Sequence, residues 1–85
     1  MQAMLAFMVQ SPDPDRLKAA AREVIERAGG ASALARELQG LTKSKTPTRQ
    51  AVAQWSRVPD RFVLACEQLS GVSRHQIRPD VFGQP

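Results

Sequence analysis

Eighty-five residues are enough for one domain, and a chain this short buries only roughly 60% of its unfolded surface, leaving a thin core and little room for a large substrate cavity. Twelve Lys and Arg against eight Asp and Glu give a net charge of +4, the balance of a protein that meets polyanions such as nucleic acid or anionic lipid. The single cysteine, Cys66, excludes a disulfide within the chain and is compatible with a reducing cytosol.

The chain opens on an apolar stretch, MQAMLAFMVQ. It lacks the basic n-region of a secretory signal, and SPDPD follows it in place of a small-x-small cleavage site. A membrane span needs ~20 apolar residues, so no membrane partner is expected. Leu5, Phe7 and Val9 fall on alternate positions. They predict an extended N-terminal arm over 1–12 that packs on a partner or frays, with one domain over 13–83.

The helical signals begin at SPDPD, where Asp13 offers an N-cap and Pro14 a first helical position. Leu17, Ala20, Ala21, Val24, Ile25 and Ala28 then repeat at helical spacing and predict a first helix over 14–28, stopped by Gly29-Gly30. A short second helix is expected over 31–38, with Leu34, Ala35 and Leu38 inward and Gln39-Gly40 as its end. A connection of roughly eight residues follows over 40–47, longer than the tight turn of the simplest helix-turn-helix. Thr48 caps a third helix that is expected to reach Trp55 or Arg57, with Ala51, Val52 and Trp55 inward and Arg49, Gln50, Ala53, Gln54 and Arg57 outward. Pro59 ends it. A fourth helix over 60–69 buries Phe62, Val63, Cys66 and Leu69 and closes at Gly71. Ser73 caps a further turn over 74–78 with Ile77 inward, and Pro79, Val81 and Phe82 lay an apolar tail over the bundle. No strand-period segment follows residue 10. The expected fold is all-α: a compact bundle of about five short helices containing a helix-turn-helix.

Catalytic chemistry is thin. His75 and Cys66 are the only His and Cys, and they fall on different predicted helices. Cys66 shares the apolar face of Phe62 and Leu69, the position of a structural thiol. His75 reads as a surface residue that hydrogen-bonds the tail. The ligand spacing of a zinc site is missing, and Gly29-Gly30 is followed by no GK[ST] phosphate loop. No enzyme activity, metal or cofactor is expected. Trp55, placed three residues after Val52, reads as a core anchor, since single-strand binders use several aromatics as a platform.

The charge excess is concentrated in TKSKTPTRQAVAQWSRVPD and the next residue. Lys43, Lys45, Arg49, Arg57 and Arg61 face Asp60 alone, which accounts for the whole +4. A charge cluster on a helix is often only a solvated face. Here the polar positions are Arg and Gln, which make paired hydrogen bonds to guanine and adenine edges in the major groove, and the segment follows a short helix by a turn. Arg49, Gln50, Ala53 and Gln54 are therefore the expected base-reading set. Lys43, Ser44, Lys45, Thr46, Thr48, Arg57 and Arg61 are the expected contacts to the DNA backbone.

Two stretches, AGGASALARELQG and TRQAVAQWSRVPDRFVLACEQLSGVSRHQIRPDVFG, resemble the YdaS-like antitoxin and Cro-type branch of the lambda-repressor-like helix-turn-helix superfamily. The resemblance covers 17–83 and is most specific in the tail, E-x-L-S-G-V-S-R followed by I-R-P-D-V-F. It implies five short helices, a homodimer on an inverted-repeat operator, and a regulatory role in a prophage or toxin–antitoxin module, in the cytoplasm at the nucleoid. The recognition positions it implies are Thr48, Arg49, Gln50, Ala53 and Gln54. The sequence departs from the pattern in its longer connection over 41–47 and its apolar arm. Two functions follow as expectations. One is a sequence-specific repressor of double-stranded DNA. The other is an antitoxin or interaction module that binds a cognate toxin through the arm, with DNA binding secondary.

Overall fold

The computed structural model describes residues 14–42 and 45–83. The arm over 1–12, the Asp13 cap, and Lys43 and Ser44 lie outside them. Among the described residues there are six α-helices, one 3-10 turn and no strand, which is the expected all-α class with six helices in place of about five.

Helix α1 spans Pro14–Arg27, opening with Pro14 and with Asp15 in its first turn. Leu17, Ala20, Ala21 and Val24 are buried, and Ile25 and Ala28 pack at the edge of the core. On its outer side Arg27 Nε donates to Glu23 Oε2 at 3.1 Å. The helix ends in a Schellman motif: Gly30 N–H bonds Ile25 O at 2.8 Å and Gly29 N–H bonds Glu26 O at 3.0 Å. Gly29 takes φ 98°, and a Cβ there would meet the Ala33 Cβ at 3.3 Å. The positive φ favours glycine, and the tight contact with Ala33 adds to that preference.

Helix α2, Ala31–Leu41, buries Leu34, Ala35 and Leu38. It runs through Gly40, beyond the expected stop at Gln39-Gly40. A glycine inside a helix costs only about 1 kcal/mol relative to alanine. Thr42 supplies the stop instead, since both its N–H (3.0 Å) and its Oγ1 (3.2 Å) donate to Leu38 O. The connection to the next helix accordingly occupies 42–48.

Helix α3 is five residues long, Arg49–Ala53, and Val52 is its one buried residue. Two expectations are corrected here. The helix stops at Ala53 rather than at Trp55 or Arg57, and Ala51 is exposed rather than inward. The reason is the chain beyond it. Trp55 must stack on Phe62, with ring centroids 6.2 Å apart and planes 20° from parallel, and Val58 is fully buried. A continued helix would carry Val58 past the core. The chain instead bends at Ser56-Arg57.

Pro59, in extended geometry, leads into the 3-10 turn Asp60–Phe62 and then helix α4, Val63–Ser70. Phe62, Val63 and Cys66 are buried, while Leu69 is half-buried against the core. Gly71 closes α4 at φ 79°, a left-handed cap. Buried Ser70 is satisfied twice: its Oγ donates to Cys66 O at 2.6 Å and accepts from Val72 N–H at 3.1 Å. Ser73 caps helix α5, Arg74–Ile77, by accepting from His75 N–H at 3.1 Å.

The expected apolar tail is a sixth helix, α6, Pro79–Phe82. Phe82 packs on the core as anticipated, but Val81 is 47% exposed. Proline in the first turn and Asp80 beside it favour the helical turn over an extended strap, and that turn leaves Val81 facing solvent. In the packed whole, α1 lies against α4 and α5, and α2 makes its most extensive contact with α3. No helix among the described residues is long and apolar enough to cross a membrane.

Candidate nucleic-acid interface

The short helix α3 is held at three points. Val52 plugs it into the core. Thr48 caps its start, its Oγ1 accepting from Ala51 N–H at 3.1 Å and its carbonyl accepting from Val52 N–H at 3.0 Å. At its end Gln54 N–H is shared between Gln50 O and Ala51 O, both at 3.2 Å, which tightens the last turn and releases the chain toward Trp55.

With Val52 pointing inward, the remaining directions follow from the helical rotation of roughly 100° per residue. Gln50 and Gln54 project most directly away from the core. Arg49 and Ala53 flank them on one side and Ala51 on the other. All five are exposed. The expected base-reading residues thus share one solvent-facing surface, with Gln54 at the cap rather than inside the helix. Ala51 joins that surface, a position the sequence reading assigned inward. Helical wheel geometry anchored on Val52 alone would have found it. Ala51 and Ala53 are both small, so either flank can approach a wall closely.

The expected backbone contacts fall around this face. Lys45 and Thr48 are exposed on the approach to α3, and Thr46 is half-buried. The Thr48 oxygen is occupied as cap acceptor, but its hydroxyl hydrogen remains a donor. Arg57 is exposed at the bend just past the helix. It lines one shallow depression with Gln54, Trp55, Ser56, Pro59, Asp60 and Arg78. Arg61 is exposed on the 3-10 turn, its guanidinium 4.9 Å from the centroid of the Phe62 ring, so Phe62 joins Arg61 to Trp55 in one stack. The side chain of Asp60 accepts from Arg61 N–H at 3.0 Å. Lys43 and Ser44 lie outside the described residues.

The residues set aside as chemically inert occupy other places. Cys66 is fully buried, and burial pushes its thiol up to about 12, so it is held neutral. His75 Nδ1 lies 3.0 Å from Gly83 O and ties α5 to the end of α6, the tail contact expected of it. Among the described residues no cluster of His, Cys, Asp or Glu has the composition to hold a metal ion.

One residue near the interface carried no sequence signal beyond its place in the R-P-D tail motif. Arg78, with a side chain only 11% exposed, spans from α6 to the segment after α3. Its Nε and Nη2 grip both oxygens of Asp80 at 2.9 and 2.8 Å, and its Nη1 donates to Val58 O at 2.8 Å. The grip holds the Asp80 carboxyl below the usual carboxylate range.

A family model described as bacterial toxin YdaS matches residues 21–85. Comparison with curated proteins and with solved structures gives no significant match. The family match takes in the second half of α1, every later element and the whole candidate surface on α3. Over more than half of its length, therefore, this chain belongs to the bacterial toxin YdaS family.

Proposed function

We propose that the protein is a sequence-specific, double-stranded DNA-binding transcriptional regulator, a Cro-type repressor that acts as a homodimer on an inverted-repeat operator. The observation that carries the reading is α3 itself. It is a short helix packed on α2, with Val52 its one buried side chain, and it turns Arg49, Gln50, Ala53 and Gln54 to solvent inside the one segment with unbalanced positive charge. In a helix-turn-helix the second helix of the pair enters the major groove and reads base edges from its N-terminal residues. Arg49 suits guanine, Gln50 and Gln54 suit adenine, and the small Ala53 admits the groove wall or a thymine methyl. Lys45, Thr48, Arg57 and Arg61, with Lys43 and Ser44, supply the sequence-independent grip on phosphates. The function requires no cofactor and no catalytic step, and places the protein in the bacterial or phage-infected cytoplasm.

Selection of bound fragments from a random duplex library tests this. A two-fold symmetric consensus is expected, because half-site spacing mirrors the symmetry of the protein dimer. Failure of any sequence to enrich above the starting pool would overturn the reading.

The family description favours a second reading, in which the chain is one half of a toxin–antitoxin pair and acts through a protein partner. The two separate in a growth assay. If induced expression arrests cells and Arg49→Ala/Gln50→Ala arrests them equally, the effect does not run through α3, and the partner reading gains.

A further inference from the structure

The R-P-D motif at the C-terminal end lies far in sequence from α3, yet Arg78 reaches the backbone just beyond it. We propose that Arg78 is a positioning residue for the duplex-binding surface: it fixes the Gln54–Val58 segment through the Val58 carbonyl and, by holding Asp80, keeps Arg57 available for a phosphate. This rests on the duplex-binding reading above.

Three observations meet at this point. First, the Arg78 guanidinium is geometrically committed. Two of its nitrogens grip the Asp80 carboxylate side-on and a third holds Val58 O, so one planar group sets the distance between α6 and the bend after α3. Val58 is fully buried, and the bend it anchors carries Ser56 and Arg57 into solvent.

Second, Arg57 and Asp80 line one shared depression, together with Ser56, Pro14 and Leu17. Arg57 makes no salt bridge with any described residue, whereas Asp80 is fully engaged by Arg78. Third, Arg57 is the other cation whose charge acts on the Asp80 carboxyl. Without Arg78, a carboxylate with two unoccupied oxygens would share that depression with Arg57. Their pairing would neutralise a cation that the surface offers to DNA. Arg78 therefore acts twice, through the backbone and through Asp80, without touching DNA itself.

The test is a fluorescence-anisotropy titration of a labelled mixed-sequence DNA duplex between about 50 and 200 mM salt, comparing wild type, Arg78→Gln and Arg78→Gln/Asp80→Asn. Glutamine keeps a donor for Val58 O but cannot neutralise Asp80. Arg78→Gln is expected to lower the salt slope by about one, the signature of one lost phosphate contact. The double variant is expected to recover the wild-type slope, because the added asparagine has no charge with which to claim Arg57. A slope unchanged in Arg78→Gln, or a loss that the second substitution does not recover, overturns the proposal while the duplex-binding reading stands. A wild-type protein with no salt-dependent binding overturns both. Should a thermal melt show Arg78→Gln unfolded, Asp80→Asn alone decides: an unchanged slope supports the proposal, and a slope raised by about one shows that Asp80 already neutralises Arg57 and overturns it.

Discussion

Val52 is fully buried while its neighbours Ala51 and Ala53 are both exposed, and this one insertion orients the side chains that α3 turns to solvent. Spacing alone made Val52 legible as an anchor and Arg49, Gln50 and Gln54 as the outward set. Ala51 is expected inward because a helix reaching Trp55 would stack the two at i and i+4; with the helix ending at Ala53, the rotation from Val52 alone decides, and it turns Ala51 to solvent. Arg78 was invisible for another reason: its partners are a carbonyl twenty positions away and a carboxylate two positions on, and neither spacing has a sequence signature. At this scale the base-reading assignment makes a direct prediction. Arg49→Ala should weaken binding to a selected operator by ~1–3 kcal/mol and relax specificity at one base, with a smaller loss on mixed-sequence DNA, when both are measured by anisotropy. Equal losses on the two duplexes would assign Arg49 to phosphates instead.

Among the elements, caps and stops decided what periodicity could not. Gln39-Gly40 is the expected stop of α2 after Leu38, yet the stop is Thr42, whose N–H and hydroxyl both reach Leu38 O. An α3 reaching Trp55 or Arg57 is expected, yet the helix yields after Ala53 to the joint demands of Trp55 on Phe62 and Val58 in the core. Helix breaks imposed by tertiary packing leave little trace in local propensity, whereas glycine stops with left-handed geometry, at Gly29 and Gly71, were readable. A helix as short as α3 has few hydrogen bonds of its own, so its cap matters disproportionately. Thr48→Ala removes the acceptor for Ala51 N–H and should cost about 1 kcal/mol in urea unfolding. It should also weaken binding to all duplexes alike, since the cap frames the whole helix and not one base contact.

At the scale of the whole molecule, the all-α architecture and membership of the YdaS family agree with the reading of the sequence, because the apolar stripes run through most of the chain and the tail motif is specific. The later elements are joined by exposed ionic contacts at α5 and α6. Glu67 is held below the usual carboxylate range, chiefly by Arg74 N–H at 2.8 Å, and Asp80 likewise by the Arg78 guanidinium. For a carboxyl whose folded value is depressed, the stabilisation is fully present above the unfolded value and is lost as pH falls through the folded one. The unfolded values lie at about 4. The melting temperature should therefore hold steady from about pH 7 to about 5 and fall below about pH 4, with a smaller fall in a Glu67→Gln/Asp80→Asn variant followed by circular dichroism.

The central claim is that the surface around α3 binds the DNA duplex through its unbalanced positive charge. The most direct measurement is the affinity of the wild-type protein for a mixed-sequence duplex as salt is raised from about 50 to about 200 mM. With Lys43, Lys45, Arg57 and Arg61 on phosphates, log K should fall linearly with log salt at a slope of about −3 to −4 per protomer, and Arg57→Ala/Arg61→Ala should flatten that slope by about two. Binding that is absent, or that does not change with salt, would contradict the account.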